Sequence, residues 1–397
     1  MWFYTSFKNK LHFSRTFVSI GISIIGYFYF IKVKGYILKY YKQLLLCSIA
    51  IVIYFIEQNS SWVEQYYYGL CYPKISLTQQ LFTSWLNFSI GDILYIILGL
   101  VIAFYFFRGL KNIFFAKNKL IVAKFYFITI FKFLLAFFIV FKLLWGLNYS
   151  RQGITKQLNL QEDEYCKEEL IELTENLILE ANFYRKQIAD TGLPILNIDT
   201  VFDQTKKAYQ LICIKYPFLQ TKKISLKKSL YSFAGNYFGF TGYYNPFTGE
   251  AQVRSDIPTI LLPFIACHEV AHQLGYASEE EANFVAYLVA KNTNNVYLKY
   301  ATCLELIDYA SNELFNKYVE DFEAEKGITK LLQLRDCMDN RVKKDRKEIR
   351  LFFLENKKSV ANISTNWYDS YLKINYQSNG IASYNKVISL IFAYFKK

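Results

Sequence analysis

The chain has 397 residues, of which 53% are hydrophobic and 19% aromatic, and its formal net charge is +13 at pH 7. This hydrophobic content is high for a soluble protein and too low for a chain that lies in a membrane throughout, so it favours membrane helices joined to a soluble domain. The basic residues are scattered and form no recognised nucleic-acid-binding module, so we expect no nucleic-acid partner. Positive flanks of membrane spans, attracted to anionic membrane lipids, explain the charge more simply.

Three apolar runs predict a membrane anchor over residues 1–148. The runs lie near residues 43–56, 93–107 and 120–147. The first two are shorter than the roughly 20 residues of a full span, but their Tyr and Trp flanks can supply the interfacial ends. Lys142, near the end of the third run, is expected to extend to the membrane surface. A fourth apolar segment, residues 17–31, is an extra span or an interfacial helix.

Basic residues predict the orientation of these spans. Lysines and arginines precede the first span and fill the loop between the second and third, and such loops face the cytoplasm. The loop over residues 57–91 then faces outside, as does everything after Trp145. We therefore expect an integral protein of the cell inner membrane with residues 149–397 as a domain on the outer, periplasmic side.

The predicted domain has the pattern of a mostly helical α+β fold. Apolar spacing predicts helices over Gln161–Ile188 and Val201–Tyr216. Between Tyr231 and Val253, glycines, aromatic and β-branched residues dominate around an NPFTG turn sequence, which indicates a β-hairpin or small sheet. The rest of the chain is expected to be helical.

Residues 268–272 read HEVAH, the HExxH pattern of zinc-dependent hydrolases. Residues four apart share one face of a helix, so His268 and His272 can bind one metal ion. Glu269 leans towards the same side, where it can act as general base on metal-bound water whose pKa zinc lowers to about 7. Gly275 is suited to end this helix. The alternative is a pair of histidines packed in a helical core without Zn²⁺.

A third metal ligand is expected directly after this motif. Ser278 stands where metzincins carry a third histidine, which excludes their ligand set. Glu279, Glu280 and Glu281 follow. Glu281 also completes a capping box with Ser278, so it has a structural role available. Glu280 lies on another helix face and is expected to be solvated.

The sequence EEEAN at residues 279–283 resembles the E-x-x-A-D pattern of integral-membrane gluzincin peptidases. In that pattern the first glutamate binds the metal and the final acid orients a histidine. The resemblance implies Glu279 as the third ligand, in preference to Glu281. It also implies Asn283 as a weaker partner of a histidine than aspartate would be.

The predicted hairpin, Phe238–Val253, offers an edge strand to which an extended peptide substrate can add. Tyr243 or Tyr244 could donate a hydrogen bond to an oxyanion, as the alternative to a packing role, and Tyr244 is the candidate catalytic residue. Three polar or aromatic residues at the end of the third span are expected to anchor the chain at the membrane interface. They are Trp145, Asn148 and Arg151.

The chain also resembles a bacterial family of multi-span membrane proteins with a zincin-like motif, classed as a domain of unknown function. The matching stretches are FSIGDILY (88–95), WGLNYSR (145–151), GYYNPFTGEAQV (242–253), HEVAHQLGYASEEEANFVAYL (268–288) and SYLKINYQSNGIASYNKVISL (370–390). The resemblance implies the layout above and gives no substrate. Residues 17–31 are additional to the family pattern.

Together these patterns predict a membrane-anchored zinc metallopeptidase that cleaves a peptide or protein substrate on the non-cytoplasmic side. The first alternative is a non-catalytic membrane protein that binds metal or peptide without hydrolysis. Structural zinc sites usually have four protein ligands, and the three found here leave an open position that favours catalysis. A transporter is the second alternative, although Lys132 is the main charge placed within a span.

Overall fold

A computed structural model describes residues 41–161, 164–190, 196–356 and 386–397, and these ranges are mostly helical with one small sheet. We number the helices in chain order. They are α1 (Tyr41–Glu57), α2 (Ser60–Thr83), α3 (Ile90–Phe115), α4 (Lys119–Leu144), α5 (Gly153–Gln157), α6 (Lys167–Asp190), α7 (Ile198–Lys215), α8 (Gly235–Phe238), α9 (Leu262–Gln273), α10 (Glu279–Lys291), α11 (Val296–Glu320), α12 (Ala324–Asp336), α13 (Asn340–Asn356) and α14 (Val387–Phe395). The helices predicted before the sheet correspond to α6 and α7, with bounds shifted by a few residues.

Helices α3 and α4 are long and apolar enough to cross a membrane. Each has 26 residues, and their mean hydropathies are 2.3 and 2.4. They cover the second and third predicted runs. Helix α1 covers the first run, but it reaches the length of a span only together with α2, from which it is bent by 95°. The candidate span at residues 17–31 lies outside the described residues.

The chain divides into two compact units. One contains the described part of residues 1–55 together with residues 112–140, and the other contains residues 56–111 and 141–397. The second unit therefore includes the HExxH sequence, the segment before α3 and most of α3 itself. The predicted division into an anchor up to residue 148 and a domain from residue 149 stays a prediction.

The predicted hairpin is confirmed and belongs to a three-stranded sheet. Its strands are β1 (Leu226–Lys228), β2 (Gly242–Asn245) and β3 (Glu250–Val253), in the order β1-β3-β2. Strands β2 and β3 are antiparallel, and Gly242 lies opposite Val253. Strand β1 joins β3 in parallel and was not predicted, because its sequence, LKK, has no alternating apolar pattern. The sheet leaves β2 as an edge strand.

Helix α9, which carries the HExxH sequence, lies in the centre of the second unit. It has 12 residues, and all of them except His268 are buried. It packs against α7, α10, α11 and the sheet. Cys267 is buried, and its carbonyl accepts a hydrogen bond of 2.7 Å from the Tyr209 hydroxyl. A helix enclosed this closely holds its side chains in fixed positions.

The sheet is tied to the start of α3 by two buried carboxylates. Glu250 accepts hydrogen bonds from the backbone N–H groups of Gly91 (2.6 Å) and Ile90 (3.1 Å). Asp92, in the first turn of α3, accepts hydrogen bonds from the backbone N–H of Leu230 and the Tyr243 hydroxyl. A carboxylate at a helix N-terminus satisfies free N–H groups and interacts favourably with the helix dipole. These contacts fix the apolar helix against the sheet beside α9.

We expect the Glu250→Gln variant to be less stable by about 1–3 kcal/mol, because an amide replaces a charged acceptor at buried N–H donors. Thermal unfolding of the detergent-solubilised protein, followed by tryptophan fluorescence, measures the change. The exposed Glu355 provides a matched control, Glu355→Gln, whose unfolding temperature should stay close to that of the parent. Equal unfolding temperatures for the two variants would contradict the role of Glu250.

Lys142 does not extend to a membrane surface as expected. Its amine lies 2.7 Å from the Glu57 carboxylate, and both side chains are buried, with 5% and 6% of their surface exposed. The prediction was wrong because the partner is 85 positions earlier in the chain and no local pattern indicates the pair. A buried lysine ammonium group is stabilised by a carboxylate of opposite charge beside it.

Candidate metal centre

Helix α9 brings its two histidines together on one face. The Nε2 atoms of His268 and His272 lie 3.1 Å apart, and the two rings are nearly perpendicular. Both side chains are largely buried, with 12% and 8% of their surface exposed. The spacing of four residues accounts for this arrangement, since such residues are neighbours on a helix surface.

The end of α9 orients His272. Gly275 has φ +87°, its N–H donates to the His272 carbonyl, and the Tyr276 N–H donates to the Ala271 carbonyl. This pair of hydrogen bonds is a Schellman motif, which ends helices at a left-handed glycine. The turn brings the Tyr276 carbonyl to 2.7 Å from Nδ1 of His272. Because a carbonyl can only accept a hydrogen bond, Nδ1 is the donor, and Nε2 faces the space between the two histidines.

Helix α10 orients His268 in the same way. The Asn283 Oδ1 atom lies 2.7 Å from Nδ1 of His268 and accepts a hydrogen bond from this ring N–H. Asn283 thus occupies the position that the gluzincin resemblance implied, while its Nδ2 atom is buried without a hydrogen-bond partner among the described residues. The His268 Nε2 atom therefore also faces the space between the histidines.

Glu279, the first residue of α10, supplies a carboxylate to this space. Its Oε2 atom lies 3.2 Å from Nε2 of His268 and 3.7 Å from Nε2 of His272. Two ligands of a tetrahedral zinc ion at about 2.0–2.1 Å are roughly 3.3 Å apart, which is close to these separations. Two imidazole nitrogens and a carboxylate that converge in a buried space need positive charge between them, which protons on the Nε2 atoms or a metal ion can supply. Among the described residues, these three form the group that could hold a metal ion.

The pKa shifts of His272 and Glu279 agree with this need for positive charge. Burial alone would lower the pKa of His272, but the hydrogen bond and charge of Glu279 outweigh it and raise that pKa to about 9. Burial would raise the pKa of Glu279, but its hydrogen bonds with the two histidines hold it well below its usual value. The three groups therefore stabilise positive charge between them.

Glu269 lies beside this cluster and close to the edge strand β2. Its side chain is buried, and its Oε2 atom has no hydrogen-bond partner among the described residues. Burial raises the pKa of Glu269 to about 7, against the opposing effect of the two histidines. A side-chain carbon at Gly242 would come within 2.5 Å of the Glu269 Oε1 atom. Glycine at the start of β2 thus permits the close approach of strand and carboxylate.

The two candidate tyrosines of β2 point in opposite directions, as neighbours in a strand do. Tyr244 shares the face of Gly242 and packs on Trp145 at a ring-centroid distance of 5.3 Å, and its buried hydroxyl has no hydrogen-bond partner among the described residues. The Tyr243 hydroxyl lies 2.6 Å from the Asp92 carboxylate, away from the histidines. Tyr244 stays the predicted oxyanion donor of the pair.

Glu281 and Glu280 lie outside the cluster. The Glu281 carboxylate accepts a hydrogen bond of 2.5 Å from the backbone N–H of Ile154 and packs against Gly153, whose φ is +63°. Glu281 therefore has a structural role, although it caps α5 rather than its own helix. Glu280 was expected to be solvated, but it is partly buried, and burial raises its pKa to about 7. Packing around the start of α10 covers Glu280, and helical spacing alone does not predict this burial.

Trp145 and Arg151 do not anchor the chain at a membrane interface as expected. Trp145 is 5% exposed, and its indole N–H donates to the His272 carbonyl at 3.2 Å. The Arg151 guanidinium donates to the Gly275 carbonyl at 2.7 Å and forms two hydrogen bonds of 3.0 Å with Glu64. Asn148 is also buried, beside Gly275. The prediction was wrong because these residues support the C-terminal end of α9 from within the protein.

Sequence reasoning missed Gly242, the Tyr276 carbonyl and Trp145 as neighbours of the site. A glycine that opens a strand before HExxH is a weak indication of close backbone approach. The carbonyl follows from the glycine-terminated turn, which was predicted, but the direction of that carbonyl was not. No local pattern indicates the contact of Trp145 with a residue 127 positions later.

Comparison with known proteins gives a family and no established activity. No curated protein and no solved structure matches the chain. One family model matches residues 67–392, and its description is "Protein of unknown function (DUF3810)". The match covers most of the chain, from α2 to α14, and leaves out residues 17–31. The chain therefore belongs to the DUF3810 family of proteins of unknown function.

Proposed function

We propose that the protein is a membrane-anchored zinc metallopeptidase. The observation that carries the proposal is the convergence of three ligand atoms, one each from His268, His272 and Glu279, beside the buried carboxylate of Glu269. Three protein ligands leave a tetrahedral ion one open position, which is typical of catalytic and not of structural zinc. The Glu269 carboxylate, which is not one of the three ligands, has the position of a general base.

Several residues of the chain have separate roles in the proposed reaction. His268, His272 and Glu279 would hold a zinc ion, which would supply a Lewis acid for polarising a carbonyl and for making water nucleophilic near neutral pH. Glu269 takes the proton of the attacking water at its free oxygen and then gives it to the leaving nitrogen. The edge of β2 binds an extended peptide by backbone hydrogen bonds, and Gly242 keeps that edge next to Glu269. Tyr244 is the candidate donor to the oxyanion.

We also propose that the site faces the non-cytoplasmic side of the inner membrane. In the unit that contains α9, the sheet contacts the first turn of α3 through Glu250, and Trp145, which follows α4, contacts His272. The opposite ends of these two helices are joined by a segment rich in basic residues. These are Arg108, Lys111, Lys117 and Lys119. Loops of this composition face the cytoplasm.

Peptide cleavage tests the proposal directly. Purified full-length protein, supplied with zinc and mixed with a diverse peptide pool, is expected to produce new N-termini that mass spectrometry detects. The chelator 1,10-phenanthroline should abolish their appearance, and added zinc should restore it. If the protein binds one zinc ion per chain and yields no new termini, the non-catalytic alternative replaces the proposal.

The Asn283 contact gives a second test that does not need a substrate. Asn283→Leu removes the acceptor of the His268 Nδ1 proton, and we expect zinc affinity to fall by about 10–100-fold. Asn283→Asp should bind zinc at least as tightly as the parent, since a carboxylate is a better acceptor of that proton. Competition with a chromophoric chelator measures both variants. Unchanged affinity in Asn283→Leu would show that Asn283 does not orient a zinc-binding histidine.

A further inference from the structure

A second feature of the molecule lies around the start of α3, where apolar side chains from two separate segments are exposed. We call this set the aromatic rim. It consists of Phe82, Trp85, Phe88, Leu230, Phe233 and Phe238. Trp85 is 72% exposed and Phe233 is 68% exposed. Soluble proteins rarely expose a large contiguous apolar patch without a binding partner for it.

Both segments are held at the same end of α3. The first, Phe82–Phe88, leads directly into the helix. The second is attached to its first turn, because Asp92 accepts hydrogen bonds from the backbone N–H of Leu230 (2.7 Å) and, through its carbonyl, from the Tyr231 hydroxyl (2.8 Å). The aromatic rim therefore lies beside the point at which the apolar helix begins.

The segments of the aromatic rim are fixed from inside the protein. The buried Arg254 side chain donates to the Phe240 carbonyl at 3.1 Å and to the Asn236 Oδ1 atom at 2.6 Å, and it pairs with Asp256. The Lys227 amine donates to the Leu86 carbonyl. Aromatic side chains that project outward from a fixed backbone are arranged for contact with an external surface.

The position along α3 identifies this surface. Its 26 residues give a length of about 39 Å, whereas the hydrocarbon core of a bilayer is only about 30 Å thick. The first turn of the helix therefore lies at the level of the lipid headgroups when the helix spans the membrane. Tryptophan and other aromatic rings are favoured at this level, where apolar and polar surroundings meet.

We propose that the aromatic rim is a membrane-contact surface that rests in the lipid interface around the start of α3. The aromatic rim attaches the protein to the lipid interface, in addition to the attachment that the spanning helices provide. It also holds the sheet close to the lipid headgroups. The proposal concerns anchoring, so it stands or fails independently of peptide hydrolysis.

Photocrosslinking of the full chain tests this contact. The photoreactive amino acid p-benzoylphenylalanine replaces Phe233 in one protein and Trp85 in a second, each reconstituted in vesicles of phosphatidylethanolamine and phosphatidylglycerol. Phe322, which is 99% exposed, receives the same replacement as the matched control. After irradiation, mass spectrometry is expected to show lipid adducts at Phe233 and Trp85 at least tenfold above those at Phe322.

Two results would overturn the proposal. Lipid adducts at both rim positions no more abundant than at Phe322 would show that the aromatic rim is outside the bilayer. Crosslinks from the rim to a second protein chain in place of lipid would assign it to a protein interface. Size-exclusion chromatography of each labelled protein establishes that it is folded, and the two rim positions lie in separate segments, so that one remains informative if the other disturbs folding.

Discussion

The Glu269→Gln variant is expected to bind zinc like the parent protein and to hydrolyse peptides roughly 10²–10⁴-fold more slowly. Glutamine has nearly the same shape as glutamate, so the packing below Gly242 should persist. It cannot take a proton from water, however, and Glu269 is the carboxylate next to the two histidines that has a free oxygen. Steady-state cleavage of a peptide found in the screen gives the rate, and elemental analysis gives the zinc content.

Glu280 offers a matched control for this variant. Glu280→Gln makes the same chemical change at a partly buried glutamate that lies outside the cluster, and we expect its rate and zinc content to stay within about twofold of the parent values. A Glu269→Gln protein that retains most of the parent rate would remove the general base from the proposed mechanism. Loss of zinc from that variant would instead assign Glu269 to metal binding.

Local patterns predicted the parts of the structure that depend on neighbouring residues. The HExxH spacing predicted that His268 and His272 would share one face, and Gly275 predicted the end of α9. The NPFTG turn predicted the hairpin. In each of these, one to five consecutive residues fix the backbone conformation through helical periodicity or through a left-handed glycine.

Contacts between distant segments could not be predicted in this way. The pairs Glu57 with Lys142 and Glu250 with Gly91 join residues 85 and 159 positions apart. Trp145 follows an apolar helix, which is typical of an interfacial residue, and only the packing of α9 shows that it is buried. The sequence pattern identifies such residues as polar or aromatic without identifying their partners.

The choice between Glu279 and Glu281 shows this limit within the site itself. Both residues lie in the first turn of α10, and helical spacing alone does not decide which one approaches the histidines. The turn after Gly275 sets the start of α10 so that Glu279 faces Nε2 of His268, while Glu281 faces the backbone of Ile154. The resemblance to gluzincins implied the same preference, and the two arguments are independent.

Removal of the Glu279 carboxylate is expected to weaken zinc binding by more than about 100-fold, since loss of a partner that merely orients a ligand already costs 10–100-fold. In Glu279→Gln the amide keeps the volume of the side chain but loses the charge that faces the two histidines. Competition with a chelator measures the dissociation constant, and elemental analysis of the purified variant should show little zinc.

The matched variant is Glu281→Gln, in which the same change is made two residues later. It should bind zinc with near-parent affinity but unfold more easily, by about 1–3 kcal/mol, because its carboxylate accepts the buried Ile154 N–H. We therefore expect Glu279→Gln to lose metal and Glu281→Gln to lose stability. If Glu281→Gln loses zinc while Glu279→Gln retains it, the ligand assignment is reversed, and the helix would have to start in a different register when the metal binds.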